Sequence, residues 1–260
     1  MLSTKVSAEL SSSASHVPES RWWTPFWDLG ERRREPEWLD QPGIASLRRT
    51  QALRGLKRVN AISRSHAVLW PVLERLSRDR KPNPVRVLDI ACGGGDVALS
   101  LAHQARRHHL KIEVNGCDIN RETIQFARHQ AMVQDLSVQF FNLDVLQSPL
   151  PDHYDLLTCT LFLHHLSNLD AVELLGRMRK AAQHQILVDD LIRSHVGWCL
   201  AWLGSHLLST SDVVHHDGPI SAAAAFTMKE VRELAEHAGL ENATVTRHWP
   251  ERFLLSWSRS

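Results

Sequence analysis

The sequence predicts an α/β protein, a mostly parallel sheet with helices on both faces. From Val85 onward, short β-rich apolar runs alternate with helical runs. Those runs are almost continuously apolar, as strands covered on both faces must be. The first of them passes through Cys92-Gly93-Gly94-Gly95 straight into a helical pattern, the strand, turn and helix of an open parallel sheet.

Residues 1–20 carry Ser11-Ser12-Ser13-Ala14-Ser15, lack the apolar stretch of a secretory signal and read as a disordered tail. Residues 21–84 read as helical. Trp22, Trp23, Phe26 and Trp27 cluster first, Pro42-Gly43 punctuates the entry, and Leu53, Leu56, Val59 and Ile62 recur every three residues before Pro82 and Pro84 close the segment. Strands then fall at 85–90, 111–118, 138–144, 154–162 and 185–191, with helices at 97–107, 121–134 and 170–182 between them. A helical insertion at 192–226 puts Trp198 and Trp202 on one face. A helix at 228–238 stops at Gly239, and strands at 243–248 and 253–258 finish the chain.

Composition narrows the function classes. With 43% hydrophobic and 23% charged residues, the 260-residue chain is neither disordered nor membrane-embedded, and its longest uncharged apolar stretch, 196–208, is too short to span a bilayer. A net charge of +1 argues against a dedicated nucleic-acid binder. That balance conceals an asymmetry: residues 21–86 hold 15 basic and 7 acidic side chains, whereas 87–260 hold 14 and 20. A basic helical appendage thus precedes an acidic core. Cys92, Cys117, Cys159 and Cys199 form no C-x-x-C pair and read as buried reduced thiols of a cytoplasmic protein.

In such sheets the ligand lies beyond the carboxyl ends of the strands, so chemistry is sought there. The first strand ends at Asp89 and runs into Gly93-x-Gly95-x-x-Ala98, the second ends at Asp118, and the third at Asn142-Leu143-Asp144. The glycine pattern also fits a dinucleotide fingerprint, which keeps an NAD(P)-dependent oxidoreductase open. Asp89 and Asp96 flanking the turn would repel a pyrophosphate, however, and suit a ligand bearing an ammonium and a sulfonium. A carboxylate at Asp118 can accept both hydroxyls of a ribose, and an acceptor at Asp144 the exocyclic amine of an adenine.

The runs V-L-D-I-A-C-G-G-G-D, G-C-D-I-N, N-L-D-V and Y-D-L-L-T-C-T-L-F-L-H-H-L, in that order, resemble the class I S-adenosylmethionine-dependent methyltransferases over residues 85–260. The resemblance implies a seven-stranded, mostly parallel, Rossmann-like methyltransferase fold with its last strand antiparallel. It also implies an N-terminal helical lid and a helical insertion after the fifth strand. Ala91 stands where the first loop glycine is more usual. By position, Asp89, Ala91, Gly93 and Gly95 would surround the methionine moiety of the cofactor. Asp118 with Ile119 would meet the ribose, Asp144 with Val145 the adenine, and Thr160 with Leu161 the sulfonium. Asn60 could reach the cofactor carboxylate.

The acceptor is read from the end of the fourth strand. An Asn/Asp-Pro-Pro-aromatic signature for amide or adenine nitrogen is absent, and Cys159 has no adjoining proline for pyrimidine carbon. No metal is expected, because Thr160 stands where a catechol-type site would need a carboxylate. The H-H-L ending resembles the branch that methylates quinone precursors and small natural-product phenols. His165 and His164 are therefore the nearest candidate bases, with capping or packing of the next helix as the structural alternative. His216, paired with Asp217, is a second candidate, set against a plain Asp-Gly turn. Arg193 could hold an acidic substrate group.

The expected function is methyl transfer from S-adenosylmethionine to a small phenolic, aromatic or polyketide-like molecule, at oxygen. Carbon methylation of a quinone-ring precursor and a cofactor-binding protein without catalysis stay open. The expected partners are the small-molecule substrate and, as an open alternative, a second copy in a homodimer; neither nucleic acid nor a membrane span is expected.

Overall fold

Alternate side chains of strand β1 (Val85–Ile90) feed two separate cores. Val85 and Val87 join the cluster on one face of the sheet, and Leu88 and Ile90 the cluster on the other. This is why the strand is apolar throughout rather than alternating. The computed structural model describes residues 29–41 and 43–259, so the expected tail, the Trp22, Trp23, Phe26 and Trp27 cluster and Pro42 lie outside the described residues.

Strands β2 (Ile112–Asp118), β3 (Gln139–Asn142), β4 (Leu156–Thr160), β5 (Gln185–Leu191), β6 (Thr244–His248) and β7 (Arg252–Ser258) complete a seven-stranded sheet in the order β3-β2-β1-β4-β5-β7-β6. Strands β1 to β5 run parallel, and β7 is antiparallel to both neighbours. The chain moves outward through β2 and β3 and then returns to the far side of β1 as β4. The order therefore reverses between β1 and β4, which opens a crevice at their carboxyl ends.

Helices α3 (Asp96–Arg107) and α4 (Arg121–Val133) cover one face, and α5 (Asn168–Ala181) and α8 (Met228–His237) the other. Their starts are encoded locally. Asn120 accepts the N–H groups of Glu122 and Thr123 at the head of α4, and Thr227 with Glu230 forms a reciprocal capping box on α8.

Outside the sheet, the chain departs from the sequence expectation in four places. The N-terminal helical region is two helices with different jobs. Helix α1 (Ser46–Ser63) lies over the strand ends, but α2 (Ser65–Asp79) puts Leu69 and Leu73 into the same core as Val85 and Leu101 and so belongs to the sheet's own helical layer. The insertion is a helix pair, α6 (His195–Leu208) and α7 (Asp212–Ala224). Asp217-Gly218 is therefore helix interior and not a turn: the Asp217 carboxylate accepts the backbone N–H groups of Trp38 and Leu39, and tertiary contact overrides the local turn preference. Finally, three cysteines are buried as expected, while Cys199 on α6 is exposed. No helix of the described residues is long and apolar enough to cross a membrane.

Candidate functional site

A cavity of about 820 Å³ occupies the crevice at the carboxyl ends of the parallel strands. Its floor is the sheet, and its cover comes from residues 37–40, α1, α6 and α7, with Trp249 and Pro250 from the β6–β7 turn at one side. The volume is ample for a small-molecule site.

At the sheet end, β1 delivers Asp89 and then turns. Its carboxylate is buried and accepts the Thr158 hydroxyl at 2.8 Å, across the register that pairs Asp89 with Thr158. Burial pushes its pKa up to about 7; the Thr158 bond opposes this, and the negative charges of Asp96 and Asp118 add to it. Ala91 (φ +52°) and Gly93 (φ +52°) both adopt the left-handed conformation, and a Cβ on Gly93 would meet nothing within 4 Å. Open space therefore lies directly above the loop.

The second strand delivers Asp118. It accepts the N–H of Gly93 at 3.0 Å and that of Asn120 at 2.8 Å, holding the glycine loop against its own strand end. Burial raises its pKa. Asp144 accepts the N–H groups of Leu146 and Gln147, so it also shapes the turn that carries Val145. Ile119, Asp144, Val145, Thr160 and Leu161 all line the cavity, and the buried Thr160 hydroxyl has no hydrogen-bond partner.

Of the expected cofactor positions only Gly95 stays off the cavity wall. It forms the N-cap of α3 at φ +77°, where a Cβ would collide with the Phe140 ring at 2.6 Å, and Gly94 faces the cavity instead. Asn60 lines the cavity, donates to Asp96 at 2.8 Å and leaves its buried carbonyl oxygen unpaired.

The other end is built around a short 3₁₀ turn, Leu163–His165, which follows β4. His164 is buried and donates Nδ1–H to Asp190 at 2.7 Å, while its Nε2 lies 3.6 Å from Glu37 Oε1. Burial alone would lower its pKa, but the Asp190 carboxylate and Glu37 together lift it to about 10. A cation of this kind does not serve as a general base at neutral pH. His165 is partly exposed, with Nδ1 3.1 Å from Asp40 and Nε2 3.8 Å from Glu37. Both rings, Glu37 and Asp40 line the cavity.

His216 and Arg193 are placed elsewhere. His216 stacks on Trp38 with ring centroids 3.8 Å apart, pairs with Asp217 and does not line the cavity. Arg193 is buried in a two-pronged ion pair with Glu230 and donates to the carbonyls of Leu29 and Ala225. Sequence reasoning passed over Glu37, Asp40 and Arg252. Buried Arg252 pairs with Asp189 at 2.8 Å, donates to Ser65 at 2.6 Å and lines the cavity.

Residues 87–185 fit the family model described as a methyltransferase domain. A ubiquinone biosynthesis O-methyltransferase of Yersinia pestis (strain Pestoides F) is 28% identical over 126 residues, which is 47% of this chain and 49% of that protein. The chain thus aligns with about half the length of the curated relatives it matches. Among solved structures, the magnesium protoporphyrin IX methyltransferase of Synechocystis PCC 6803, crystallised with bound SAH, superposes with a TM-score of 0.53 at 17% identity, over 85% of this chain and 91% of that one. A SAM-dependent methyltransferase from Aquifex aeolicus gives 0.52 at 16%, over 77% and 96%. At these identities the structural likeness is one of fold. Residues 87–185 thus match a methyltransferase domain, set in a fold shared with S-adenosylmethionine-dependent methyltransferases of known structure.

Proposed function

We propose that this chain binds S-adenosylmethionine over β1, β2 and the turn after β3, and transfers its methyl group to the oxygen of a small phenolic or aromatic acceptor held beneath α1, α6 and α7. The observation that carries the reading is that the carboxylates at three successive strand ends, Asp89, Asp118 and Asp144, share one cavity with the His165 end. The donor set fits the cofactor. Asp89 suits an ammonium, Asp118 a ribose diol and Asp144 an exocyclic amine, and the unpaired Thr160 hydroxyl and Asn60 carbonyl supply further polar contacts. That a curated relative is named an O-methyltransferase supports oxygen over carbon.

Held there by Asp89, Asp118 and Asp144, the cofactor would supply an electrophilic methyl group to the acceptor oxygen. The chain's part is alignment in a water-poor chamber, which supplies much of the acceleration for an in-line displacement. Leu53, Leu56, Leu200 and Leu203 give the chamber apolar walls. The proton of the acceptor hydroxyl leaves at the His165 end, where an imidazole and two carboxylates converge. The buried cation at His164 fixes that end in place.

Calorimetric titration tests the cofactor half. Micromolar binding of S-adenosylmethionine or its demethylated product is expected, and Asp118→Ala should weaken it by about 1–3 kcal/mol. No binding by the parent chain, or unchanged affinity in Asp118→Ala, would remove the reading or that residue's part in it.

A further inference from the structure

We infer that Glu37, His164 and His165 form a binding site for one divalent transition-metal ion, of the Zn²⁺ class, at the acceptor end of the cavity. One ligand atom from each of the three residues lies within 4.8 Å of the others. Glu37 Oε1 sits 3.6 Å from His164 Nε2 and 3.8 Å from His165 Nε2. Ligands about 2.0–2.1 Å from a common ion stand roughly 3–4 Å apart, so the cluster needs only a small contraction to close on one.

The orientation of the rings is the second observation. Each histidine has its Nδ1 against a carboxylate, His164 on Asp190 at 2.7 Å and His165 on Asp40 at 3.1 Å. Each therefore turns Nε2 toward Glu37. Carboxylate on one ring nitrogen and ion on the other is how metal-bound imidazoles are held, because the outer carboxylate fixes the tautomer and raises ligand basicity. Two imidazoles and one carboxylate facing a cavity leave coordination positions open, as catalytic sites do.

Charge favours the same occupant. Glu37, Asp40 and Asp190 put three carboxylates around two histidines. The nearby cations Arg32 and Arg34 are directed to the backbone carbonyls of His164 and His165, away from the Nε2 atoms. Ser221 donates its hydroxyl to Glu37 and orients that carboxylate. Two nitrogen ligands select against Mg²⁺ and Ca²⁺, which take oxygen. An ion entering here takes the place of the proton that His164 otherwise shares with Glu37. Its open positions face the chamber, where an acceptor hydroxyl can coordinate, lose its proton to water at the mouth and remain as the oxyanion. No electron is transferred in that step. This part of the inference rests on the methyl-transfer reading; the ion site does not.

The full chain, stripped with a chelator, should bind one equivalent of Co²⁺ with visible ligand-field absorption, and Zn²⁺ should displace it. The double variant Glu37→Gln, His165→Asn should lose that equivalent while keeping a folded circular-dichroism spectrum and its affinity for S-adenosylmethionine. The other histidines of the sixteen provide the background against which that loss is measured. Absence of a saturable equivalent in the parent chain, or the same stoichiometry in the double variant, overturns the site. Where an acceptor is turned over, stripping the ion should slow transfer by about 10–100-fold with cofactor affinity unchanged. Full turnover by demonstrably ion-free protein overturns the ion's part in transfer. Co²⁺ binding without any methyl transfer would instead leave the site standing and remove the proposed reaction.

Discussion

At the scale of single residues, Ala91 is one of the positions where the chain departs from what its backbone prefers. Its φ of +52° lies in the left-handed region, which costs a residue with a Cβ about 1–2 kcal/mol. Glycine would relieve that strain but lose roughly 0.5–1 kcal/mol more chain entropy on folding. Ala91→Gly should therefore leave stability unchanged or raise it by up to about 1.5 kcal/mol, a melting shift of roughly 3–6 °C at most. A fall in melting temperature would mean that the methyl group packs favourably where the strain argument leaves it idle. Asp89, Asp118 and Asp144 were legible in the sequence because a strand, its terminal acid and the following turn are contiguous. Gly95 stands off the cavity wall because the same spacing serves two needs, approach to a ligand and approach to Phe140, and here the ring of Phe140 is the neighbour. Glu37 and Asp40 carried no signal at all. They reach the histidines through ties made far along the chain: Asp217 grips the backbone at Trp38 and Leu39, and Arg32 and Arg34 bind the carbonyls of His164 and His165.

At the scale of elements, the cover over the cavity depends on helices that touch closely. Gly55 sits inside α1, where glycine costs about 1 kcal/mol against alanine. A Cβ there would lie 2.3 Å from Ser209 Oγ and 3.2 Å from a Val214 methyl, so the residue marks where α1 meets the α6–α7 connection. Gly218 does the same between α7 and α6, with a Cβ position 3.3 Å from the Ala201 carbonyl. Gly55→Val should separate α1 from the insertion, destabilise the chain by about 1–3 kcal/mol through overpacking and raise the acceptor KM more than it weakens the cofactor. Equal loss on both ligands would show that α1 supports the whole cavity rather than its acceptor side. The sheet elements were readable in advance because their period and punctuation are local. The insertion was not, because α7 runs through Asp217-Gly218-Pro219, a sequence that signals a turn until the contacts around it are known.

At the scale of the whole molecule, the basic N-terminal part and the acidic core meet across the cavity. Arg32, Arg34 and Arg49 of the cover bind backbone or carboxylate groups of the core, so the near-neutral net charge is the sum of two complementary surfaces. On the proposed reading, folding and ligand binding are coupled through Asp89. Its carboxyl, raised by burial from 3.8 to about 7, holds a proton in the folded chain over a range where the unfolded chain has lost it. Its contribution to stability is therefore complete below the lower value and is lost as pH rises through the upper one. Asp118, also raised by burial, acts in the same direction. A cationic ammonium demands the ionised form, so the dissociation constant for S-adenosylhomocysteine should rise by up to about tenfold for each pH unit below about 7 and level off above it. Differential scanning fluorimetry should accordingly show the ligand-free melting temperature falling from about pH 4 to about pH 7 and levelling above it, while the increment from saturating ligand grows. Asp89→Asn keeps an acceptor for the Thr158 hydroxyl but carries no charge. It should flatten the pH dependence of cofactor affinity and weaken binding at the alkaline end, and a profile identical to the parent chain would place the ammonium on another residue.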